Sequence, residues 1–353
     1  MLNINYIPSK DLHLSDYVDI IDVRSPSEFA EDHLPGAINL PVLSNSERDE
    51  VGTIYKQINP FEARRRGAAL ISYNISEHLK QYFCNKNKDY SPLIYCWRGG
   101  ERSKSLATIL ESVGWRSSLV EEGYQGYRKY VVESFDEMLK NDFHFKIISG
   151  LTGTGKTKLL KHLNGRGSQT IDLEGLASHR GSALGDEETH SQPSQKMFER
   201  ILYEEFLSLD VNEPVFLESE SSRIGNIQIP SNLWKIMKNS PVLEIETERK
   251  YRVDFLLSEY SHFTENKELL KSKLEKIRHL KTDSIFNNWI NMVDKNDVRG
   301  FVESILEDHY DAAYISSRRK TYCSEPEKIY NIEEINDVSL ANLAEQITTS
   351  VSS

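Results

Sequence analysis

The sequence contains few cysteines, and none of them is spaced like a structural pair. Cys84, Cys96 and Cys323 are the three cysteines in the 353 residues, and no two of them form a Cys-x-x-Cys pair. This spacing argues against a disulfide framework and against a cysteine-based metal site. Because disulfides are rare in reducing compartments, we expect a reduced, cytoplasmic protein.

The sequence also lacks a long apolar segment. No apolar run approaches the ~20 residues that a membrane-spanning helix needs. Residues 1–6, which read MLNINY, do not combine a basic stretch with an apolar one. We therefore expect a soluble protein without a transmembrane segment or a secretory signal.

Positive charge is not in excess either. The chain has 43 Lys and Arg residues against 54 Asp and Glu residues, with 10 His, for a formal net charge of −11. This balance argues against a surface that coats nucleic acid broadly, but it leaves room for a local basic groove. Residues 64–66 (RRR), residues 318–320 (RRK) and the basic residues between 271 and 281 are three such clusters. Each is more typical of a solvated helix face.

The hydrophobic pattern predicts two domains, residues 1–135 and residues 136–353, which suits a chain of 353 residues. In the first domain, apolar strands at 17–23, 93–95 and 118–120 alternate with a helical pattern at 103–113. In the second, strands at 145–149, 215–218 and 242–245 precede a charged helical region at 252–320 and a last helix at 339–351. This alternation predicts an α/β fold with parallel sheets, whose functional loops lie at the C-terminal ends of the strands.

A cysteine-containing loop follows one of these strands. Residues 96–103 read CWRGGERS and lead into a helix. The helix N-terminus and the two arginines supply positive charge, and the glycines let backbone N–H groups turn inward. We therefore expect Cys96, Arg98 and Arg102 to form a catalytic site in which a thiolate lies beside an anion pocket.

This loop has two competing interpretations. A cysteine followed by five residues and an arginine is also the spacing of cysteine-dependent phosphatases, whose pocket stabilises a phosphocysteine. Against a phosphatase, Tyr95 precedes the cysteine where those enzymes usually have histidine. The other alternative is a buried, inert cysteine. Cys84 and Cys323 have no such surroundings, and we interpret both as structural.

A second anion-binding loop begins at residue 150. Residues 150–157 read GLTGTGKT, follow a strand and open a helix, which is the context that a phosphate-binding (Walker A) motif requires. The residues expected to bind phosphate are Gly150, Gly153, Gly155, Lys156 and Thr157, with Thr157 as a candidate Mg²⁺ ligand. ATP hydrolysis does not follow from the motif, since a diphosphate leaving group fits the same loop.

Further polar residues follow the phosphate loop. Asp172 and Glu174 are candidates for holding a metal ion or a proton, and His179 and Arg180 for contacting phosphate or nucleic acid. Glu218 ends a predicted strand, as a Walker B acid does, and Glu220 follows closely. The alternative is that about half of such residues serve as helix caps and loop contacts.

Longer segments resemble known families. Residues 22–29 (DVRSPSEF) and 33–41 (HLPGAINLP) are similar to the rhodanese family, which carries sulfur as a persulfide on the loop cysteine. Together with CWRGGERS, GLTGTGKT and residues 172–182 (DLEGLASHRGS), they make nearly the whole chain resemble the tRNA 2-selenouridine synthase family. Residues 123–128 (GYQGYR), residues 309–311 (HYD) and Tyr314 also fit that family. One departure is Glu101, where the family pattern has methionine.

The resemblance implies both a fold and a reaction. The fold is a rhodanese-like domain followed by a P-loop NTPase-like α/β domain with a helical C-terminal region. The implied enzyme replaces the sulfur of 2-thiouridine at the wobble position of tRNA by selenium. It uses selenophosphate, and the route passes through S-geranyl-2-thiouridine made from geranyl diphosphate. The implied partners are tRNA and an enzyme that supplies selenophosphate.

The resemblance also implies roles for individual residues. Cys96 would hold or deliver selenium, Arg98 and Arg102 would bind selenophosphate, and Lys156 with Mg²⁺ would stabilise the departing diphosphate. Trp97 and Tyr124 are candidates for stacking on the wobble base. A rhodanese–kinase fusion that phosphorylates a small molecule is the competing enzyme. An inactive rhodanese fold that acts as a sensor is a third, non-enzymatic alternative.

Overall fold

The computed structural model describes residues 5–179, 191–259, 266–321 and 325–351, with side chains omitted at 317–321. The chain forms two compact units, Met1–Glu137 and Met138–Ser353. No helix in the described part of the chain is long and apolar enough to cross a membrane.

The first unit is built on a five-stranded parallel sheet. Its strands are β1 (Asn5–Ile7), β2 (Ile20–Asp22), β3 (Ala37–Asn39), β4 (Leu93–Tyr95) and β5 (Ser118–Val120), in the spatial order β1-β5-β4-β2-β3. Every residue of β2 and β4 is buried, as expected for central parallel strands covered on both faces. The helices are α1 (Pro26–Glu31), α2 (Asn45–Gln57), α3 (Pro60–Gln81), α4 (Glu101–Val113) and α5 (Gly123–Met138).

The second unit contains another five-stranded parallel sheet. Its strands are β6 (Phe145–Gly150), β7 (Gln169–Ile171), β8 (Val215–Glu218), β11 (Val242–Glu246) and β12 (Lys328–Asn331), in the order β12-β11-β6-β8-β7. A small antiparallel pair, β9 (Arg223–Ile224) and β10 (Ile227–Gln228), lies outside this sheet. The helices up to residue 259 are α6 (Lys156–Gly165), α7 (Leu173–Leu176), α8 (Gln195–Leu207), α9 (Ser231–Asn239) and α10 (Arg249–Glu259).

A helical region separates β11 from β12. It contains α11 (Lys267–Glu275), α12 (Asp283–Asp294), α13 (Val298–Ile305), a π-helical turn (Leu306–Asp311) and α14 (Ala312–Thr321). Much of this region packs around the buried Trp289 in a hydrophobic cluster of its own. After β12, α15 (Asp337–Val351) packs in the same core as α6. The predicted α/β class, parallel sheets and helical C-terminal region are confirmed.

The start of α5 holds the cysteine loop in place. The N–H groups of Tyr124 and Gln125 donate to the carbonyl oxygens of Cys96 and Trp97, at 2.8 and 2.9 Å. Gly123, with φ of 58°, lies directly against the same loop. A Cβ at residue 123 would overlap the Cys96 carbonyl oxygen and lie 2.6 Å from the Gly99 nitrogen. Only glycine fits this close backbone approach.

We predict that Gly123→Ala lowers stability more than Gly114→Ala. Gly114 also has a positive φ, 109°, but a Cβ there meets nothing within 4 Å. Gly114→Ala, the control, should therefore lower the free energy of unfolding only by the strain of a left-handed backbone, about 1–2 kcal/mol. Gly123→Ala adds steric overlap with the backbone of the cysteine loop. Urea unfolding of both variants measures the difference, and equal losses would contradict the packing role of Gly123.

Glu28 links α1 to α4. Its carboxylate accepts hydrogen bonds from the backbone N–H and the hydroxyl of Ser25, both at 3.1 Å. It also accepts two from the Arg102 guanidinium, at 2.6 and 3.2 Å. Burial alone would raise the pKa of Glu28, but the bonds and charge of Arg102 hold that pKa at about 2. The folded state therefore favours the ionised carboxylate.

We predict that Glu28→Gln lowers the free energy of unfolding by about 2 kcal/mol at pH 7. Since the folded pKa of Glu28 is depressed, its contribution is present above the unfolded value near 4.5 and is lost as pH falls towards 2. The difference between variant and parent, measured by urea unfolding from pH 7 to pH 3.5, should shrink below pH 4.5. Glu77→Gln, which breaks an exposed pair with Lys80, should change stability much less than Glu28→Gln does, because solvent-exposed ion pairs contribute little. A Glu28→Gln difference that does not vary with pH would refute this account.

Candidate functional site

Cys96 lies where β4 ends and the turn into α4 begins. Its Sγ atom accepts hydrogen bonds from the Gly100 N–H and the Ser103 hydroxyl, both at 3.2 Å. The side chain is buried, with 3% of the residue exposed. Both donors come from the start of α4, so they point partial positive charge at the sulfur. Glu101, the residue that departs from the family pattern, is exposed.

The two arginines of the cysteine loop differ in their contacts. The Arg102 guanidinium is paired with Glu28 and is largely buried. The Arg98 side chain is exposed, and its Nε donates to Gln125 Oε1 at 2.7 Å. Anion binding by either arginine stays a prediction. Arg98 is the more available of the two, because the charge of Arg102 is already neutralised.

Tyr124 is enclosed by its neighbours. It is 1% exposed, its hydroxyl donates to Asp32 Oδ2 at 2.8 Å, and the Arg24 guanidinium lies 4.0 Å from its ring centroid. Burial, together with the nearby Asp32 carboxylate, raises the pKa of Tyr124. The proposal that Tyr124 stacks on a base is therefore wrong for this arrangement, since the ring has no accessible face. The half-buried Trp97, 5.5 Å away between ring centroids, keeps that candidate role.

The phosphate loop joins β6 to α6 as predicted. Its three glycines all have positive φ: Gly150 at 156°, Gly153 at 86° and Gly155 at 80°. The Lys156 ammonium donates to the Gly150 carbonyl oxygen at 2.8 Å and so spans the loop. An anion that enters the loop can take over this ammonium, since a charge-assisted bond is stronger than one to a neutral carbonyl.

Three carboxylates lie together at the end of the phosphate loop. Ligand oxygens of Glu174, Glu218 and Glu220 are within 4.8 Å of one another. Burial and then mutual repulsion, opposed by the Lys156 charge, together raise the pKa of Glu174, Glu218 and Glu220 to about 9, 8 and 7 respectively. The Thr157 side chain hydrogen-bonds to Glu218. The buried Oε1 atom of Glu218 has no hydrogen-bond partner among the residues that the structure describes. An oxygen-rich cluster that is short of positive charge suits a hard divalent cation.

The other predicted site residues have different contacts. Asp172 caps α7, and its Oδ1 accepts the Gly175 N–H at 2.7 Å, so it follows the capping alternative. His179 is buried with 6% exposure, and its backbone N–H donates to the Glu174 carbonyl oxygen. Arg180 lies outside the described residues.

Tyr314, from α14, contacts the phosphate loop directly. Its hydroxyl oxygen accepts the Gly150 N–H at 2.9 Å and lies 2.9 and 3.0 Å from the hydroxyls of Ser149 and Ser219. Its ring centroid is 5.6 Å from the Lys156 ammonium. The sequence drew attention to Tyr314 through the family resemblance alone. No local pattern connects it with a loop 164 residues away.

A buried ion pair supports the other side of the loop. Arg252 in α10 donates to both carboxylate oxygens of Asp311, each at 2.8 Å, and to the Thr152 carbonyl oxygen at 3.1 Å. Asp311 ends the π-helical turn that leads into α14. Such turns are frequent at functional sites. Sequence analysis did not identify Arg252 as a site residue, because its partners are distant in the chain.

Both units of the chain match known protein families. Residues 9–130 match the family described as "Rhodanese-like domain", and residues 143–284 match "tRNA 2-selenouridine synthase AAA domain". These matches confirm the predicted rhodanese-like and P-loop-type domains.

Two proteins named tRNA 2-selenouridine synthase are similar to this chain over different lengths. The protein from Marinobacter nauticus is 31% identical over 86% of this chain and 89% of its own. The protein from Nitrosomonas europaea is 35% identical over 68% of this chain, and the alignment spans 63% of that relative. The chain therefore belongs to the tRNA 2-selenouridine synthase family.

Proposed function

We propose that this protein replaces the sulfur of 2-thiouridine at the wobble position of tRNA by selenium, through an S-geranyl intermediate. Selenophosphate and geranyl diphosphate are the co-substrates. The observation that carries the proposal is the pairing, in one chain, of a cysteine loop whose Sγ accepts two hydrogen bonds with a phosphate loop next to three carboxylates. Family membership supports the same reaction.

The first half-reaction uses the phosphate loop. The thiocarbonyl sulfur attacks C1 of geranyl diphosphate, an S–C bond forms, the C1–O bond breaks and diphosphate leaves. The N3 proton of the base is lost to water, which leaves the neutral S-geranyl product. The Lys156 ammonium, already inside the loop, moves from the Gly150 carbonyl to the departing oxygens. Charge developing on a leaving group is stabilised best by donors that are already in position.

The acidic cluster beside Lys156 fits a Mg²⁺ ion. Thr157 and Glu218, with Glu174 or Glu220, would hold it, since carboxylate and hydroxyl oxygens are suitable ligands. When bound, Mg²⁺ supplies charge neutralisation for a diphosphate. It also offsets the repulsion that raises the three carboxyl pKa values.

The second half-reaction uses the cysteine loop. Selenium attacks C2 of the base, the C2–S bond breaks and geranylthiol leaves, while water takes the phosphoryl group of selenophosphate as phosphate. In this proposal Cys96 positions selenophosphate so that its selenium is delivered to C2, and no S–Se bond forms, because selenide-level selenium would need an oxidant to make one. Gly100 and Ser103 stabilise the Cys96 thiolate through their hydrogen bonds, and the exposed Arg98 binds the incoming anion.

The proposal also covers partners and location. The macromolecular substrate is a tRNA bearing 2-thiouridine at the wobble position. A selenophosphate-supplying enzyme would feed the second half-reaction, and both fit a cytoplasmic protein.

We predict that substitutions in the two loops separate the half-reactions. Lys156→Ala should reduce S-geranyl formation about a hundredfold or more, as loss of a positioned charge donor does. Cys96→Ser should form S-geranyl-2-thiouridine but stop before the selenium product. Nucleoside mass spectrometry of thiolated tRNA, incubated with geranyl diphosphate and Mg²⁺ with or without selenophosphate, reads both steps.

Two substitutions serve as matched controls. Lys158→Ala removes a partly exposed lysine one position beyond Thr157, and Cys84→Ser removes an exposed cysteine. Both should react like the parent protein. Normal geranyl transfer by Lys156→Ala would contradict the placement of diphosphate in the loop. Normal selenation by Cys96→Ser would remove the role of Cys96. Unmodified thiouridine in every tube, with ATP turnover in the absence of tRNA, would favour a small-molecule kinase.

We predict that Tyr314→Phe weakens geranyl diphosphate binding about tenfold without unfolding the protein. The substitution keeps the ring near Lys156 but removes the hydroxyl that accepts the Gly150 N–H. One or two hydrogen bonds of about 1 kcal/mol each account for this magnitude. Isothermal titration with geranyl diphosphate and a thermal melt measure the two quantities. Tyr330→Phe, whose hydroxyl contacts Ser350, is the control. Unchanged affinity in Tyr314→Phe would show that the hydroxyl does not position the loop.

A further inference from the structure

The tip of the α2–α3 hairpin presents apolar side chains to solvent. Every residue from 55 to 61 is exposed. Three of them are large and apolar: Tyr55 at 60%, Ile58 at 66% and Phe61 at 66% exposure. Single exposed apolar residues are ordinary, but three within seven positions at one tip call for a binding partner.

The tip residues do not hold the hairpin together. The buried side of α3 consists of Ala63, Gly67, Ile71 and Ile75. The Val51 side chain of α2 lies against Gly67, and Arg66 pairs with Glu50 further along. Because the helices pack through these residues, the exposed rings at the tip are available for another role.

The tip is also locally basic in an acidic protein. The charged residues between 55 and 66 are Lys56, Arg64, Arg65 and Arg66 against Glu62, whereas the whole chain has a net charge of −11. Arg65 pairs with Glu62. Within the described part of the chain, neither Lys56 nor Arg64 pairs with a carboxylate; Arg64 Nε donates only to the Pro60 carbonyl oxygen. Two cations therefore remain available beside the exposed rings.

We propose that this tip, defined by Tyr55, Lys56, Ile58, Phe61 and Arg64, binds unpaired nucleotides of the substrate RNA. The proposal rests on the function proposed above, because that function requires an RNA whose target base lies in a single-stranded loop. The rings of Tyr55 and Phe61 stack on splayed bases, and Lys56 and Arg64 contact phosphates. Aromatic rings interleaved with cations are the usual means of holding single-stranded RNA.

The combination of rings and charge favours RNA over a protein partner. The centre of a surface that docks another protein is usually depleted of lysine, although arginine is common there. Here Lys56 lies between Tyr55 and Ile58 in sequence, and Arg64 is one helical turn from Phe61. Single-stranded RNA can contact both kinds of side chain at once, because its bases stack on the rings and its phosphates pair with the cations.

The test is an RNA-binding titration with variants of the tip. Fluorescently labelled tRNA with uridine at the wobble position is titrated with full-length protein, and binding is followed by anisotropy at several KCl concentrations. Tyr55→Ala/Phe61→Ala should raise Kd at least tenfold, since each stacked base contributes about 1–3 kcal/mol. Lys56→Ala/Arg64→Ala should reduce the slope of log Kd against log salt by about 1.5.

A matched control lies in the same helix. Tyr73 in α3 is 65% exposed, and it lies about 18 Å along the helix from Phe61. Tyr73→Ala should leave Kd within twofold of the parent. In thiolated-tRNA turnover, the tip variants should raise KM for tRNA and leave kcat unchanged, with melting temperatures close to that of the parent protein.

The outcomes separate this proposal from the one that it rests on. If the parent protein neither binds nor modifies tRNA, the proposed function fails and this assignment fails with it. If the parent binds and modifies tRNA while Tyr55→Ala/Phe61→Ala has the same Kd and KM, the tip assignment alone is wrong. If the parent sediments as a dimer that the tip variant loses, with unchanged RNA affinity, the tip joins two copies of the chain instead.

Discussion

Both candidate sites depend on the same constraint, a buried parallel strand that ends where a helix begins. Cys96 follows β4 and precedes α4, and the phosphate loop joins β6 to α6. Central strands are fixed by packing on both faces, so the residue after such a strand has little freedom. The unsatisfied N–H groups of the next helix then face that residue. Sulfur chemistry and phosphate chemistry use this one structural solution in separate units.

Electrostatic balance is achieved differently in the two sites. In the cysteine loop, Glu28 neutralises Arg102, so the remaining charge near Cys96 comes from Arg98 and the helix N-terminus. In the phosphate loop, three carboxylates lie near Lys156, and burial, together with their mutual repulsion, raises their pKa values. In the proposed reaction the first site takes an anion, whereas the second takes a cation together with its anion.

Local sequence patterns predicted the parts of the fold that local forces determine. The strand–loop–helix order around residues 96 and 150 was predicted from hydrophobic runs, glycines and helix starts. The structure confirms this order, with β4 before α4 and β6 before α6. Burial depends on the assembled fold instead. Tyr124 and Trp97 were both predicted from sequence as base-stacking candidates, but the structure encloses Tyr124 between Arg24 and Asp32. Tyr314 and Arg252 reach the phosphate loop from distant parts of the chain. No periodicity could reveal them as partners of that loop.

The edge strand β12 and helix α15 have a consequence for how the second unit is made. Gly155 of the phosphate loop lies against Ile335 and Leu340, and α15 supplies Leu340, Leu343 and Ile347 to the core beneath α6. During synthesis the loop therefore leaves the ribosome long before the residues that pack against it. Until they follow, the helix after the loop has an uncovered apolar face, and the loop lacks the side chains that pack against Gly155. The phosphate site is thus a late product of folding, although its motif lies near the start of its unit.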